Sequence, residues 1–194
     1  AYLPNIPEAT VAFLASASVG AIWSMCAPDL GVKGVLDRFQ QIKPKVLIAV
    51  NGYTYGGKSY DRAAEVTKLV AGLPSLTTLV SVRKGGANPV AAIDEDTWSA
   101  ITSQKASLET TDVAFDHPLW ILYSSGTTGT PKAIVHSQGG IIIEHLKSLH
   151  FHFDLGPDDR FFWYSSSYGR ISSAGRSMYK EYERAILEAR RLLG

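Results

Sequence analysis

The sequence predicts an α/β fold, a mixed or parallel sheet flanked by helices. Three observations point there. Lys45-Val46-Leu47-Ile48-Ala49-Val50 and residues 77–82 are short apolar runs without alternation, as strands buried on both faces are. Stretches with helical spacing of apolar residues separate them, closed by Pro44 and Pro74. Hydrophobic residues make up 45% of the chain and charged residues 19%, ordinary values for a globular chain. Short strands alternating with helices imply a sheet covered on both sides, with ligands binding where loops leave the strand ends.

The elements follow in order. Residues 9–28 carry no charge, and their alanines, glycines and serines suit a helix packed closely on a sheet. No basic segment precedes them and polar residues interrupt them, so a buried helix is expected rather than a membrane span or signal peptide. Asn5 is the expected N-cap, with Glu8 in the capping-box position. Residues 31–42 predict a helix with Val32, Val35, Leu36, Phe39 and Ile42 on one stripe; Asp37 and Arg38 read as solvated charges. After the strand at 45–50, residues 51–58 read as a loop rich in Gly and Tyr. In it Tyr53 and Tyr55, with nearby Tyr60, serve local packing. A helix over 60–73, the strand over 77–82, a turn over 83–89 and a short helix over 94–101 come next. Residues 103–116 are polar and loop-like. A buried strand over 118–122, a second strand over 133–136, a helix over about 139–151, a turn over 154–159 and a strand over 160–164 complete the pattern.

At 194 residues the chain is one domain or part of one. It begins at Ala1 and runs at once into helical sequence, which suggests a piece of a longer protein. A net charge of +1 gives no reason to expect nucleic-acid binding. Cys26, the lone cysteine, rules out an internal disulfide framework, is expected to be buried, and fits a reducing, cytoplasmic compartment. The histidines show no metal-ligand spacing.

The segment richest in chemistry is Tyr123-Ser124-Ser125-Gly126-Thr127-Thr128-Gly129-Thr130-Pro131-Lys132. Glycines allow close backbone approach and positive φ, and serine and threonine hydroxyls add rotatable donors. Lys132 adds a point charge for phosphoryl oxygens. The string differs from a Walker A loop, in which Gly-Lys-Ser/Thr opens a helix. Here Pro131 precedes the lysine and Ala-Ile-Val-His follows, so the loop is expected to join two strands. A plain glycine-serine linker is the alternative.

The full string resembles the phosphate-binding signature of the adenylate-forming superfamily, which includes acyl-CoA synthetases, luciferases and adenylation domains. Leu3-Pro4-Asn5 with Glu8, and Ala21-Ile22-Trp23-Ser24 with the later Pro28-Asp29, fit as well. Pro28-Asp29-Leu30-Gly31-Val32 with Val35 to Phe39, Gly52-Tyr53-Thr54-Tyr55-Gly56-Gly57-Lys58 and Pro131-Lys132-Ala133-Ile134-Val135-His136 look most like the acetoacetyl-CoA synthetase branch. That branch also accounts for Ala133 where most members carry glycine. The resemblance covers about residues 2–166 and implies part of the large N-terminal domain of an acyl-adenylating enzyme. It implies ligation of a small acid, acetoacetate, to coenzyme A as co-substrate, driven by ATP with Mg2+, through an acyl-adenylate. It assigns the grip on the phosphates to Thr127 and Thr128, then Ser124, Ser125 and Thr130, with Gly126 and Gly129 shaping the backbone and Lys132 supplying charge. His136 and Trp163 read first as core side chains and second as groups near substrate.

After Ser166 the match stops, which divides the chain into 1–166 and an atypical tail, 167–194. Met178, Tyr182, Ala185, Ile186, Ala189, Leu192 and Leu193 give that tail an amphipathic helix over about 177–193. Its stripe suits covering this chain's own surface or pairing with another copy. The superfamily's later motifs have no counterpart here: a glutamate for magnesium, an aspartate for ribose, and a catalytic lysine on a mobile domain. The resemblance therefore implies that these residues do not catalyse alone and that the acid pocket lies mostly elsewhere. Another short-chain acyl-CoA synthetase and a non-catalytic fragment acting through its tail are the alternatives.

Overall fold

The computed structural model describes residues 1–84, 94–103, 105–124, 129–156 and 159. Ser125, Gly126, Thr127 and Thr128, the strand expected over 160–164 with Trp163, and the tail 167–194 with its helix lie outside the described residues.

The first helix, α1, is Pro7–Ser18, capped by extended Ile6 with no side-chain cap bond. The expected Asn5–Glu8 box is not formed. Pro7 sets the first-turn φ and pushes the residue before it to extended backbone, which moves the boundary past Asn5. Glu8 Oε1 instead pairs with Lys84 Nζ at 2.6 Å. The helix also stops well short of residue 28. Gly20, with φ of +70°, reverses the chain. The uncharged stretch beyond it is extended: Trp23 forms a parallel bridge to Trp120, and Cys26 one to Tyr2, which in turn bridges Ala49. The uncharged stretch over 9–28 is thus a helix followed by extended backbone, and it is less buried than expected: Ala9, Ala12, Ser24 and Cys26 are inside, while Leu14, Val19 and Ile22 are exposed.

Helix α2, Val32–Ile42, lies where its stripe predicts and buries Val35 and Phe39. It ends in a left-handed Lys43, with Pro44 following. Strand β1 is Val46–Val50. The stretch read as a loop is instead a two-stranded hairpin, β2 Gly52–Tyr55 and β3 Lys58–Asp61. Gly56 and Gly57 turn it with φ of +57° and +76°, the pairing that tight hairpins demand. Tyr53 and Tyr60 face each other in register, their rings stacked 5.1 Å apart under the Arg62 guanidinium.

Helix α3, Ala63–Gly72, leads to strand β4, Thr78–Val82. The segment expected to be wholly helical splits into strand β5, Asp94–Thr97, and helix α4, Trp98–Thr102, capped by the Thr97 hydroxyl. Strands β1, β4 and β5 form a parallel sheet in that order, with Leu47 opposite Leu79 and Val50 opposite Val82. Alternation along the strands feeds two cores. Leu47, Ala49 and Leu79 pack with Val35, Phe39, Val66 and Leu69 from α2 and α3, and Cys26 is buried among them. On the other face Val50 and Val82 meet Leu3, Ala9 of α1 and Trp98 of α4. Fully burying a side chain such as Phe39 or Leu47 is worth about 1.5–3 kcal/mol. The sheet is therefore covered on both faces, as its apolar runs predict.

A second hairpin follows the polar residues 105–114. Strand β6 is Pro118–Ser124 and strand β7 is Lys132–Ser137, paired antiparallel. Helix α5, Gln138–Lys147, is capped by Ser137 and runs into one π-helical turn, Ser148–His152. The β6 run is less buried than its composition suggests: Leu119 is inside, while Leu122 is half exposed.

Candidate functional site

The loop rich in glycine and hydroxyls leaves β6 and returns on β7, as the proline before the lysine predicts. Register fixes its base. Ser124 lies opposite Lys132, Tyr123 opposite Ala133 and Leu122 opposite Ile134. The Cβ atoms of such directly opposed residues are about 4.5–5.5 Å apart. The first hydroxyl of the loop and its lysine thus stand at one mouth.

Of the residues singled out from the sequence, Ser124 is half-buried at the end of β6, and Thr130 and Lys132 are exposed. Lys132 has no ion-pair or hydrogen-bond partner among the described residues. Gly129 departs from expectation: its φ is not positive, and a Cβ added there would meet nothing within 4 Å. Neither backbone strain nor crowding within the described protein explains that glycine. Ser125, Gly126, Thr127 and Thr128 lie between these stems, outside the described residues.

The hairpin is tied by hydrogen bonds to the extended segment at Trp23 and Ser24. Trp23 N–H donates to Leu119 O at 2.9 Å, Ile121 N–H to Trp23 O at 2.8 Å, and the Ser24 hydroxyl to Ile121 O at 2.9 Å. Helix α2 supports the loop end. The Tyr123 hydroxyl donates to Arg38 O at 3.0 Å, and the Arg38 guanidinium lies 5.8 Å above the Tyr123 ring. Burial raises the Tyr123 phenol pKa. Gln41 Nε2 donates to Pro131 O at 2.8 Å. Arg38, read as a solvated charge, is in fact half-buried, with Nη1 also bonded to Gly34 O at 2.6 Å. Sequence reasoning missed Arg38 and Gln41, because both partners lie far along the chain and no local pattern records the docking.

His136 behaves as packing. Its Nδ1 accepts the Trp120 indole N–H at 2.8 Å, with the rings nearly perpendicular. Phe13 and His145 flank the same tryptophan. Among the described residues no group of His, Cys, Asp or Glu is placed to hold a metal ion, and no helix is long and apolar enough to cross a membrane.

A parallel sheet with helices on both faces is joined to a hairpin whose strands bracket a hydroxyl-rich sequence closed by lysine, the arrangement of an α/β protein. Residues 1–172 match the AMP-binding enzyme family, and the chain belongs to it. It is 43% identical over 173 residues to the acetoacetyl-coenzyme A synthetase of Rhizobium meliloti (strain 1021), covering 86% of this chain and 26% of that protein. It is 37% identical over 174 residues to the malonamoyl-CoA synthetase of Penicillium aethiopicum, covering 82% and 23%. Among solved structures, the acetoacetyl-CoA synthetase from Streptomyces lividans superposes with a TM-score of 0.80 at 50% identity, over 96% of this chain and 27% of that one. The chain spans about a quarter of the length of the relatives it matches.

Proposed function

We propose that this chain supplies the phosphate grip of an ATP-dependent acid–CoA ligase that works on acetoacetate. The observation that carries the proposal is the opposition of Ser124 and Lys132 at the mouth of the loop, in a chain of the AMP-binding enzyme family. In the proposed reaction a carboxylate oxygen of the acid attacks the α-phosphorus of ATP. The bond from that phosphorus to the bridging oxygen breaks and pyrophosphate leaves. The sulfur of coenzyme A then attacks the acyl carbon, AMP departs, and the thiol proton passes to solvent.

In the first step two anions must meet, and charge builds on the departing pyrophosphate. A free ammonium and oriented hydroxyls offset that charge where it develops. Lys132, Ser124 and Thr130 would do this from the stems, and Ser125, Thr127 and Thr128 from between them, with Gly126 and Gly129 letting the backbone approach. The described residues offer no carboxylate cluster for Mg2+, so the ion would arrive on the triphosphate and be held by groups beyond them. The matched relatives are named for two different acyl groups, so family membership by itself does not choose the acid. Acetoacetate is preferred on the identity to synthetases of that name. Cys26, free and buried, suits a reducing cytoplasmic setting.

The test is a chimera in which this chain replaces the matching segment of the Rhizobium meliloti relative. It should support acetoacetate-dependent exchange of pyrophosphate into ATP. Lys132→Ala removes a charge-assisted contact worth about 1.5–3 kcal/mol, a loss of roughly 10- to 150-fold. A chimera that folds but exchanges equally well without Lys132 would sink the assignment.

A further inference from the structure

We infer that helix α2 is the brace that sets the pose of the phosphate loop, with Gln41 and Tyr123 as its positioning residues. The inference rests on the proposed phosphate grip and adds residues to it that touch no phosphate. Pairing between β6 and β7 fixes the two stems of the loop relative to each other, but not relative to the parallel sheet. The bonds through Trp23 and Ser24 attach β6 at its middle, at Leu119 and Ile121. Contacts near the tip further limit pivoting of the hairpin about that attachment.

Helix α2 makes two such contacts, one on each stem. The Tyr123 hydroxyl, one residue before Ser124, donates to Arg38 O at 3.0 Å. Gln41 Nε2 donates to Pro131 O at 2.8 Å, one residue before Lys132, and to Asp37 O at 2.6 Å. A primary amide has two N–H donors, so both bonds can form together. The second bond holds the side chain against its own helix, which aims the first. Residues 38 and 41 are three apart and share one face of α2. That helix is anchored in the core by Val35 and Phe39, so it is a rigid reference for the stems. Gln40, next along the helix, bonds to Gly72 O at 3.0 Å and does not touch the hairpin. It is a control with the same chemistry.

Pyrophosphate binding to the full chain is measured by calorimetry, with amide NMR of Thr130 and Lys132, for the wild type and for Lys132→Ala, Gln41→Met, Tyr123→Phe and Gln40→Met. Methionine keeps the length and helix preference of glutamine but donates nothing. Gln41→Met and Tyr123→Phe are each expected to weaken pyrophosphate about 2- to 10-fold, the range for one neutral hydrogen bond. The amide positions of Thr130 and Lys132 at saturation should also differ from the wild type. Gln40→Met should match the wild type in both readouts. If Lys132→Ala weakens binding while Gln41→Met and Tyr123→Phe bind like the wild type, the brace is overturned and the phosphate grip stands. If Gln40→Met weakens binding as much as Gln41→Met, the effect is helix stability and the brace is again overturned. If the wild type fails to bind, or Lys132→Ala binds equally well, the phosphate grip itself falls and the brace with it.

Discussion

Tyr2 shows how much one side chain can tie together. Its backbone bridges Cys26 and Ala49, and its buried hydroxyl donates to Pro28 O at 2.7 Å. Arg62 Nε donates to the same carbonyl at 2.8 Å. Burial raises the phenol to about 12, against the nearby Arg62 charge, which lowers it. The unfolded chain loses that proton near pH 10 while the folded chain keeps it. The contribution to stability is therefore complete below about pH 10 and lost as pH rises towards about 12. Urea midpoints taken from about pH 9 to about pH 12 should fall for the wild type and stay flatter for Tyr2→Phe. At neutral pH the variant should cost about 0.5–1.5 kcal/mol, because Pro28 O keeps its bond to Arg62. An identical alkaline slope in the two proteins would show that Tyr2 is not the titrating group. None of this was legible beforehand. Tyr2 is an unremarkable residue in the sequence, and its partners come from three separate segments.

Among the elements, the β2–β3 hairpin is the one whose sequence signal was present and misread. Adjacent Gly56 and Gly57 between Tyr-containing stretches match a two-residue turn, yet the Gly and Tyr content suggested a loop. Two predictions belong here. A Cβ on Gly52 would sit 2.9 Å from Tyr60 O and 3.0 Å from Lys84 O, both backbone atoms that cannot swing aside. Gly52→Ala should therefore destabilise by about 1–3 kcal/mol. Gly57→Ala meets open space, but its φ of +76° carries a penalty of about 1–2 kcal/mol for a residue with a Cβ. Thermal or urea unfolding of both variants checks the pair. A neutral Gly52→Ala would mean that the hairpin moves freely against Lys84. The β6–β7 hairpin was read correctly because its signal is local: proline before the lysine, then a short β-prone run.

Among the described residues, helix α5 carries an exposed apolar face: Ile142, Ile143 and Leu146, spaced three and four apart, are each more than half exposed. Scattered exposed apolar residues are ordinary, but a cluster is adhesive. The chain should bind a hydrophobic dye such as ANS and tend to self-associate. A double change, Ile142→Lys with Leu146→Glu, should lower both without loss of unfolding stability, since neither side chain is buried. Dye fluorescence and sedimentation measure this, and an unchanged signal would mean the cluster is not the adhesive surface.

The sequence by itself determined the alternation of strands and helices, the two-faced sheet and the strand-loop-strand character of the phosphate loop. Each is written in neighbouring residues, as period, punctuation or composition. The tertiary structure alone decided where the uncharged stretch after α1 goes, because a lack of charge marks helix and extended chain alike. It also decided which residues steady the loop. Tyr123 and Pro131 meet α2 only after the hairpin docks beside Trp23, and hydrogen bonds between distant segments leave no periodic trace in the chain.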